Sequence, residues 1–588
     1  MIKPIFLEIP LRKSSVRNSF VFSRKFFKAL FVLAFLNFCV FAQQNEGEKT
    51  DVFYRWTPYK DSTGTESWDG VWDDIDDVSG KTKHWKYFST DTWTEYAGDF
   101  PGSDESKTSY AYFAAENETN VSLSKYVQNE LENLSIGDCY KSSSSVDLKK
   151  VTINLAGFEL KTKNLVFGNS SIGIGGSVNF VLTGGGTLTV SESMSFTAGC
   201  TYNIEIGADT VLDVSGLAAN VSGAKINFSG KGTLKLKTAT FSDCTVNFEL
   251  EKIEVFGATE ISNSATVKFN KVSSVSFAEE LKNSGTVDFS DCNIVKFNGA
   301  LENSGTADFS GATATSVSGK ITNGGTLELF GDDSSINFPA DFDNKGTICS
   351  SGFCSVNFAS PVTDSGTWIY SGGKVKNDDI TYNILELKGK VVIPGDLSAK
   401  EIKIETESLS IQGEIKSDSI EINTEKTIVL DADVTINSNV VELSQNATFV
   451  VAGKNLTFGS ENDGSSIISD DKKNLVILDS ASAGKTIFYS SLGTATSPLG
   501  EISSETETFF NADVFSDSIE AKNSAQISSA KITTSGGQIY DSALKITGTQ
   551  TKLISENDGI SFGGSVDISA QTLISALNGS AKFSAALK

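Results

Sequence analysis

Several residue types are nearly missing from this chain of 588 residues. It has one histidine, His84, two methionines and eight prolines, and beyond residue 42 a single arginine, Arg55. That scarcity removes the commonest metal ligand and general base, and with it the guanidinium fork that clamps phosphates and carboxylates. Positive charge is also short. Lys and Arg number 49 against 73 Asp and Glu, a net charge of −24, which repels nucleic acid and anionic membranes. No nucleic acid is therefore expected as a partner. No Gly-x-Gly-x-x-Gly, phosphate-loop or Gly-x-Ser-x-Gly string stands out, so no cofactor is expected. Beyond residue 42 the cysteines are Cys139, Cys200, Cys244, Cys292, Cys349 and Cys354. Their spacing forms neither a compact disulfide framework nor a metal site. They read as small buried thiols, with Cys349 and Cys354 the one plausible close pair.

What the chain does have is glycine (51) and phenylalanine (39) among many Val, Ile, Thr, Ser and Asn, a mixture that favours strands and turns. A single compact core rarely holds so many residues, and a repeat absorbs them here. Asn263-Ser264-Ala265-Thr266, Asn283-Ser284-Gly285-Thr286, Asn303-Ser304-Gly305-Thr306, Asn323-Gly324-Gly325-Thr326, Asn344-Lys345-Gly346-Thr347 and Asp364-Ser365-Gly366-Thr367 recur at steps of 20, 20, 20, 21 and 20. After each turn comes an alternating strand (Val267/Phe269, Val287/Phe289, Ala307/Phe309, Leu327/Leu329), then a second (Val275/Phe277, Val295/Phe297, Thr315/Val317, Ile336/Phe338). A third apolar contact follows at Leu281, Leu301, Ile321, Phe342 and Val362. Period-two alternation places these on an inner face and Lys268, Asp288, Asp308 and Glu328 outside.

Three short strands and three bends per repeat make one coil, and no coil can bury its apolar face alone. The predicted fold is all-β: a right-handed parallel β-helix (β-solenoid) with coils of about 20–23 residues and an aromatic-rich N-terminal cap. Asn and Gly at the corner are expected to supply left-handed backbone. Asn263, Asn283, Asn303, Asn323 and Asn344 are expected to stack as an amide ladder. Phe269, Phe289 and Phe309 should form one buried stack, and Phe277, Phe297 and Phe338 another. Steps of 23 residues mark the upstream coils at Gly186-Thr187-Leu188, Asp209-Thr210-Val211 and Gly232-Thr233-Leu234. Alternation continues downstream through Ile402/Ile404, Leu409/Ile411 and Ile420/Ile422. Ser460-Glu461-Asn462-Asp463-Gly464 returns as Ser555-Glu556-Asn557-Asp558-Gly559, a period of 95 residues.

The start reads as an export signal. Lys3, Arg12, Lys13, Arg17, Arg24, Lys25 and Lys28 precede an apolar run over 29–41, too short to span a bilayer, and Val40-Phe41-Ala42 fits a cleavage site before Gln43. A lipoprotein reading at Cys39 is disfavoured by the bulky Phe38 before it. The division is thus 1–42 signal peptide, 43–139 Trp-rich cap, 140–454 solenoid with 20–23-residue coils, and 455–588 a continuation carrying the long repeat. Five of the six tryptophans (Trp56, Trp68, Trp72, Trp85, Trp93) lie in the cap region with the acidic run Asp73-Asp74-Ile75-Asp76-Asp77. They are read as covering the open end of the coils rather than as a carbohydrate-stacking module. Val127, Leu131 and Leu134 at helical spacing suggest a short helix over 120–135. Because the second long repeat breaks off near Lys588, further coils or an anchor are expected beyond it.

Trp68-Asp69-Gly70-Val71-Trp72, Phe100-Pro101-Gly102-Ser103-Asp104 and Ile153-Asn154-Leu155-Ala156-Gly157-Phe158-Glu159-Leu160 resemble the entry and first coil of large repetitive bacterial exoproteins. The chain thus resembles filamentous-haemagglutinin-like and autotransporter-passenger adhesins. The resemblance is closest at the C-terminus, in Ser497-Pro498-Leu499-Gly500, Thr508-Phe509-Phe510-Asn511, Thr533-Thr534-Ser535-Gly536-Gly537-Gln538-Ile539-Tyr540 and Ile560-Ser561-Phe562-Gly563-Gly564. It implies an extracellular or outer-membrane-associated cell-surface location. It also implies an adhesin-like or structural role toward a host or neighbouring-cell surface protein or glycan. From the sequence itself, no integral membrane segment is expected in the mature chain.

The rival is a carbohydrate-active enzyme, a polysaccharide lyase or glycoside hydrolase, since parallel β-helices house both. Fold alone decides nothing. Such enzymes use a basic residue beside acidic calcium ligands, or paired aspartates with histidine and arginine, and His84 and Arg55 both fall in the cap region. Asp332-Asp333, Asp378-Asp379 and Asp470-Asp471 sit beside Gly, Ser, Asn or Lys, where aspartate serves turns. The Glu-Asn-Asp-Gly turns lack the alternating aspartates of dedicated calcium loops. No catalytic, cofactor-binding or metal residue is assigned, and the chain is read as not an enzyme.

Overall fold

A computed structural model describes residues 49–588, apart from positions 58, 61–62, 68, 76–78, 80, 90–91, 114–117, 138–149, 169–175, 220–222, 332–333, 340, 352–353, 462–463, 529–530 and 570. The expected signal peptide, Cys39, Cys139 and Asp332-Asp333 lie outside the described residues. Among the described residues every regular element is a β-strand. The strands stack as parallel coils about 21 residues apart, forming a β-solenoid of about 21 turns. At about 4.8 Å per coil the rod is roughly 100 Å long.

The regular section shows how the sequence closes a coil. Thr266–Phe269, Ser274–Phe277 and Leu281–Asn283 form three walls, and each pairs in parallel with the strand one coil on: Thr286–Asp288, Ile294–Phe297 and Leu301–Asn303. Because the register is kept, like residues meet along the axis. Phe228, Phe248, Phe269, Phe289 and Phe309 form one continuous stack with centroid spacings of 5.0, 4.9, 4.8 and 5.2 Å. Each such contact contributes about 1 kcal/mol beyond area burial. Phe277 stacks on Phe297 at 5.0 Å, but Phe338 does not join them. Val317 occupies the intervening coil, and Phe338 stacks instead on Phe358 at 5.3 Å.

The corner column differs from expectation in two instructive ways. None of Gly285, Gly305, Gly325, Gly346 and Gly366, nor the asparagines before them, has positive φ. Glycine is there for clearance: a Cβ on Gly305 would sit 2.1 Å from the Gly285 carbonyl oxygen, and one on Gly325 would sit 2.0 Å from that of Gly305. The amide ladder exists, running from Asn283 through Asn303 and Asn323 to Asn344 with each side-chain N–H donating to the next at 2.7–2.8 Å. Asn263, however, is exposed and outside it. Ile261, not Asn263, pairs opposite Asn283, so the turn before Thr266 is two residues longer and swings Asn263 outward.

The helix over 120–135 is not formed. Thr119–Ser122 and Leu131–Ile136 are strands in the parallel ladders, with Leu131 and Leu134 fully buried. The coil geometry is already present from Lys107–Phe113, and among the described residues antiparallel pairing is confined to the stretch before it, between residues 50 and 96. There Trp56, Trp72 and Trp85 gather around Phe113 with centroids 5.4–5.9 Å away. Thr50–Trp56 and Gly70–Val71 pair onto the edges of Lys107–Phe113 and Thr119–Ser122. The aromatic cluster plugs the core and the two strands cover its edges, which removes unpaired backbone from that end.

The 95-residue period does not carry over to the walls. The first Ser-Glu-Asn-Asp-Gly string follows Asn455–Phe458, whose column continues through Lys485–Phe488 to Leu544–Ile546. The second follows Gln550–Ser555, which belongs to the column of Ser466–Ile468. The two strings therefore follow strands of different walls.

Phe289→Asp should cost on the order of 5 kcal/mol, because it places an unpaired charge in the middle of the five-ring stack. Loss of the cooperative melt in circular dichroism is the expected readout, and a variant melting within a few degrees of the parent would refute this account. Thr315 stands in an inner column between Val295 and Ile336, and its hydroxyl has no hydrogen-bond partner among the described residues. Thr315→Val should therefore stabilise the chain by about 1 kcal/mol, read as a raised denaturation midpoint.

Candidate functional site

Coil length sets the most distinctive surface feature. Along the third wall, Asn323 pairs with Asn344, 21 residues on, but Thr363 pairs with Thr381 and Tyr382 with Ala399, offsets of 18 and 17. Beyond, Lys416 pairs with Asn437 and Asn455 with Lys485, offsets of 21 and 30. Short coils between longer ones leave a waist. Two adjoining hollows of about 480 and 420 Å³ lie on it and share Thr363, Thr381 and Ser398. Outward residues Thr363, Thr381, Ser398, Lys416 and Asn437 stack in register along this groove. Asn383, Lys400, Asp418 and Asn439 flank them.

The floor of the groove is where the amide ladder ends. Asn344 donates to Asp364 Oδ1 at 2.8 Å, and the Gly366 N–H reaches the same oxygen at 3.3 Å. A ladder in which every amide donates in one direction needs a pure acceptor last, and a carboxylate supplies it. Asp364 is 3% exposed, and its second oxygen, Oδ2, has no hydrogen-bond partner among the described residues. Burial pushes its carboxyl above the usual carboxylate range, while the Asn344 amide and the Gly366, Ser365 and Asn383 N–H groups pull the other way. Behind it the core is aromatic: Trp368 packs edge-on to Tyr382 at 5.6 Å and donates to Ser350, and the Tyr370 and Tyr382 hydroxyls lie 3.0 Å apart.

The residues weighed from sequence are scattered. His84 is buried in the cap, stacked on Trp56 at 4.4 Å with Nδ1 3.0 Å from the Thr57 carbonyl, and burial lowers its pKa. Arg55 is half-buried on the neighbouring strand, opposite Lys86 and Tyr112. Trp56, Trp72 and Trp85 are at most 1% exposed, so they offer no stacking platform. Asp378-Asp379 and Asp470-Asp471 are exposed, and Asp379 has φ 65°. Cys200, Cys244, Cys292, Cys349 and Cys354 are all free, and Cys349 and Cys354 are not bonded to each other. Burial pushes the Cys292 thiol up to about 12 and that of Cys354 to about 11, which leaves both inert.

Carboxylates do align on the first wall, where Asp288, Asp308 and Glu328 pair in successive coils. Burial and then the charges of Asp308 and Asp288 raise Glu328. Asp288 and Asp308 each accept the N–H two residues on, at 2.9 and 2.8 Å, so they close the turns into Ser290 and Ser310. Among the described residues no group of three or more His, Cys, Asp or Glu is arranged to hold a metal ion.

Sequence reasoning passed over the groove and an outer amide ladder, in which Asn247 donates to Asn227, Asn227 to Asn203 and Asn203 to Asn179, each at 2.8 Å. The signal for the ladder was present as Asn at matching positions of four coils. The groove had a weaker one, the shortening of repeats after residue 367. Fold and surface together define a β-solenoid with a polar wall groove. No protein-family model, curated protein or solved structure matches the chain.

The pH dependence of Asp364 has a definite sign. Its folded pKa is raised, so its ionised form is a penalty at neutral pH that is relieved as pH falls through the folded value toward the ordinary value of about 3.9. Asp364→Asn keeps the acceptor for Asn344 and removes the charge. Its melting temperature should exceed the parent's at pH 7, and the gap should close toward pH 4. A gap that does not change with pH would show that the carboxyl ionises without hindrance.

Proposed function

We propose that this chain is an exported, non-enzymatic surface protein that presents the long wall of its solenoid to a host or neighbouring-cell protein or glycan. In this reading the role is adhesin-like or structural, and the location is extracellular or at the outer membrane. The observation that carries it is the outer face itself. Exposed and half-buried lysines and carboxylates pair across adjacent coils along the rod: Lys268 with Asp288, Lys282 with Glu302, Lys388 with Glu405 and Lys485 with Glu507, at 3.2–3.7 Å. Such pairs contribute little individually, about 0–1 kcal/mol, but they keep a long β surface soluble and free of edge-to-edge association. The basic stretch and short apolar run before Gln43 support export. Among the described residues no helix is long and apolar enough to cross a membrane.

A second reading has one observation in its favour. The carboxyl of Asp364, raised by burial, lies beneath the groove, and a raised carboxyl is one part of a general acid for glycoside cleavage, although its free oxygen is enclosed by the wall. The other groove carboxylates weaken it. Asp396 accepts the Glu414 N–H at 2.8 Å, Asp379 sits in a turn and Asp418 is exposed, and among the described residues neither histidine nor arginine lines the groove.

The discriminating experiment applies the purified 43–588 chain to intact cells and, separately, to a polysaccharide panel. Saturable attachment to cells is expected, with no new reducing ends and no unsaturated products. Release of either product would replace this reading with the enzymatic one.

A further inference from the structure

The polar groove at the waist runs along the axis of the rod, outside the wall in which the Asp364 carboxyl is buried. From Thr363 to Asn437 the outward row spans four steps between coils, about 19 Å at one strand spacing each. We propose that this groove binds an uncharged oligosaccharide strand lying parallel to the solenoid axis. The proposal rests on the surface-protein reading and names the partner class for one stretch of the wall.

The lining selects that chemistry. Hydroxyls and amides from Thr381, Ser398 and Asn437 offer donors and acceptors in alternation, which suits a chain of sugar hydroxyls. Lys400 and Lys416 form no ion pair among the described residues, but the carboxylates of the groove outnumber them, so a polyanion is repelled. None of the large exposed hydrophobic side chains of the molecule lies in the groove, which leaves a lipid or an apolar peptide without an anchor. A peptide adding as a strand would need free backbone groups. Here those of Thr363, Thr381, Ser398 and Lys416 are already paired between coils.

The test uses isothermal titration calorimetry of the 43–588 chain with four probes: hexasaccharides of β-1,4-linked glucose, of mannose and of N-acetylglucosamine, and hexagalacturonate as the charged counterpart. At least one neutral hexasaccharide should bind saturably. Lys416→Trp, which fills the groove from an exposed position, should weaken binding at least tenfold. Lys296→Trp, on the exposed face of the second wall, should leave it unchanged. Matching far-ultraviolet spectra and melting curves identify folded variants, and Ser398→Trp serves in place of Lys416→Trp if the latter does not fold. The proposal is overturned if no neutral hexasaccharide binds, if binding survives both groove-filling variants, or if hexagalacturonate binds more tightly than any neutral probe. Cell attachment unaffected by Lys416→Trp, together with no neutral binding, would remove the groove and leave the surface reading standing. Binding followed by cleavage would keep the groove and remove the non-enzymatic reading.

Discussion

Everything in this molecule depends on one coil resting on the next at the spacing of a parallel strand pair. A single coil has too little interior to bury anything, so stability comes from interfaces between neighbours rather than from any coil alone. That constraint turns each sequence position into a column. Phenylalanine at one inner position of five coils becomes a continuous ring stack, and asparagine at another becomes a chain of amide hydrogen bonds. A residue is tolerated according to what stands one coil above and below it.

The same rule explains why breaks in a column are informative. The inner corner is apolar through Phe241 and Ile261, switches to amides from Asn283 to Asn344, and ends at Asp364 before continuing as Tyr382 and Ala399. A one-way amide chain can begin on any donor, but it must finish on an acceptor, and a carboxylate in that place brings charge into the wall. The coils shorten at the same level, so the waist and the carboxyl coincide. Aromatic residues Trp368, Tyr370 and Tyr382 fill the interior there with their polar atoms satisfied, while Asp364 Oδ2 has no hydrogen-bond partner among the described residues.

At the N-terminal end the rod meets a different requirement. Parallel coils expose a full set of strand edges wherever stacking starts, and the chain covers them with Thr50–Trp56, Gly70–Val71 and a plug of three tryptophans. His84 belongs to this plug. Its ring lies flat on Trp56 with Nδ1 against the Thr57 carbonyl, so packing and a backbone contact hold it in place.

The sequence by itself determined the solenoid, the inward and outward faces, the Phe269–Phe289–Phe309 stack and most of the amide ladder. Period and alternation are local properties, and stacking in register copies them directly into space. Only the tertiary structure decided what depends on the exact fit between neighbouring coils. It placed Asn263 outside the ladder, because two extra turn residues shift that corner, and it separated Phe338 from Phe297 through Val317. It also turned the corner glycines from a matter of backbone angle into one of clearance, and it made strands of the residues spaced like a helix near Leu131. The groove falls in the same class. It arises from the difference in perimeter between adjacent coils, and no single repeat contains that quantity.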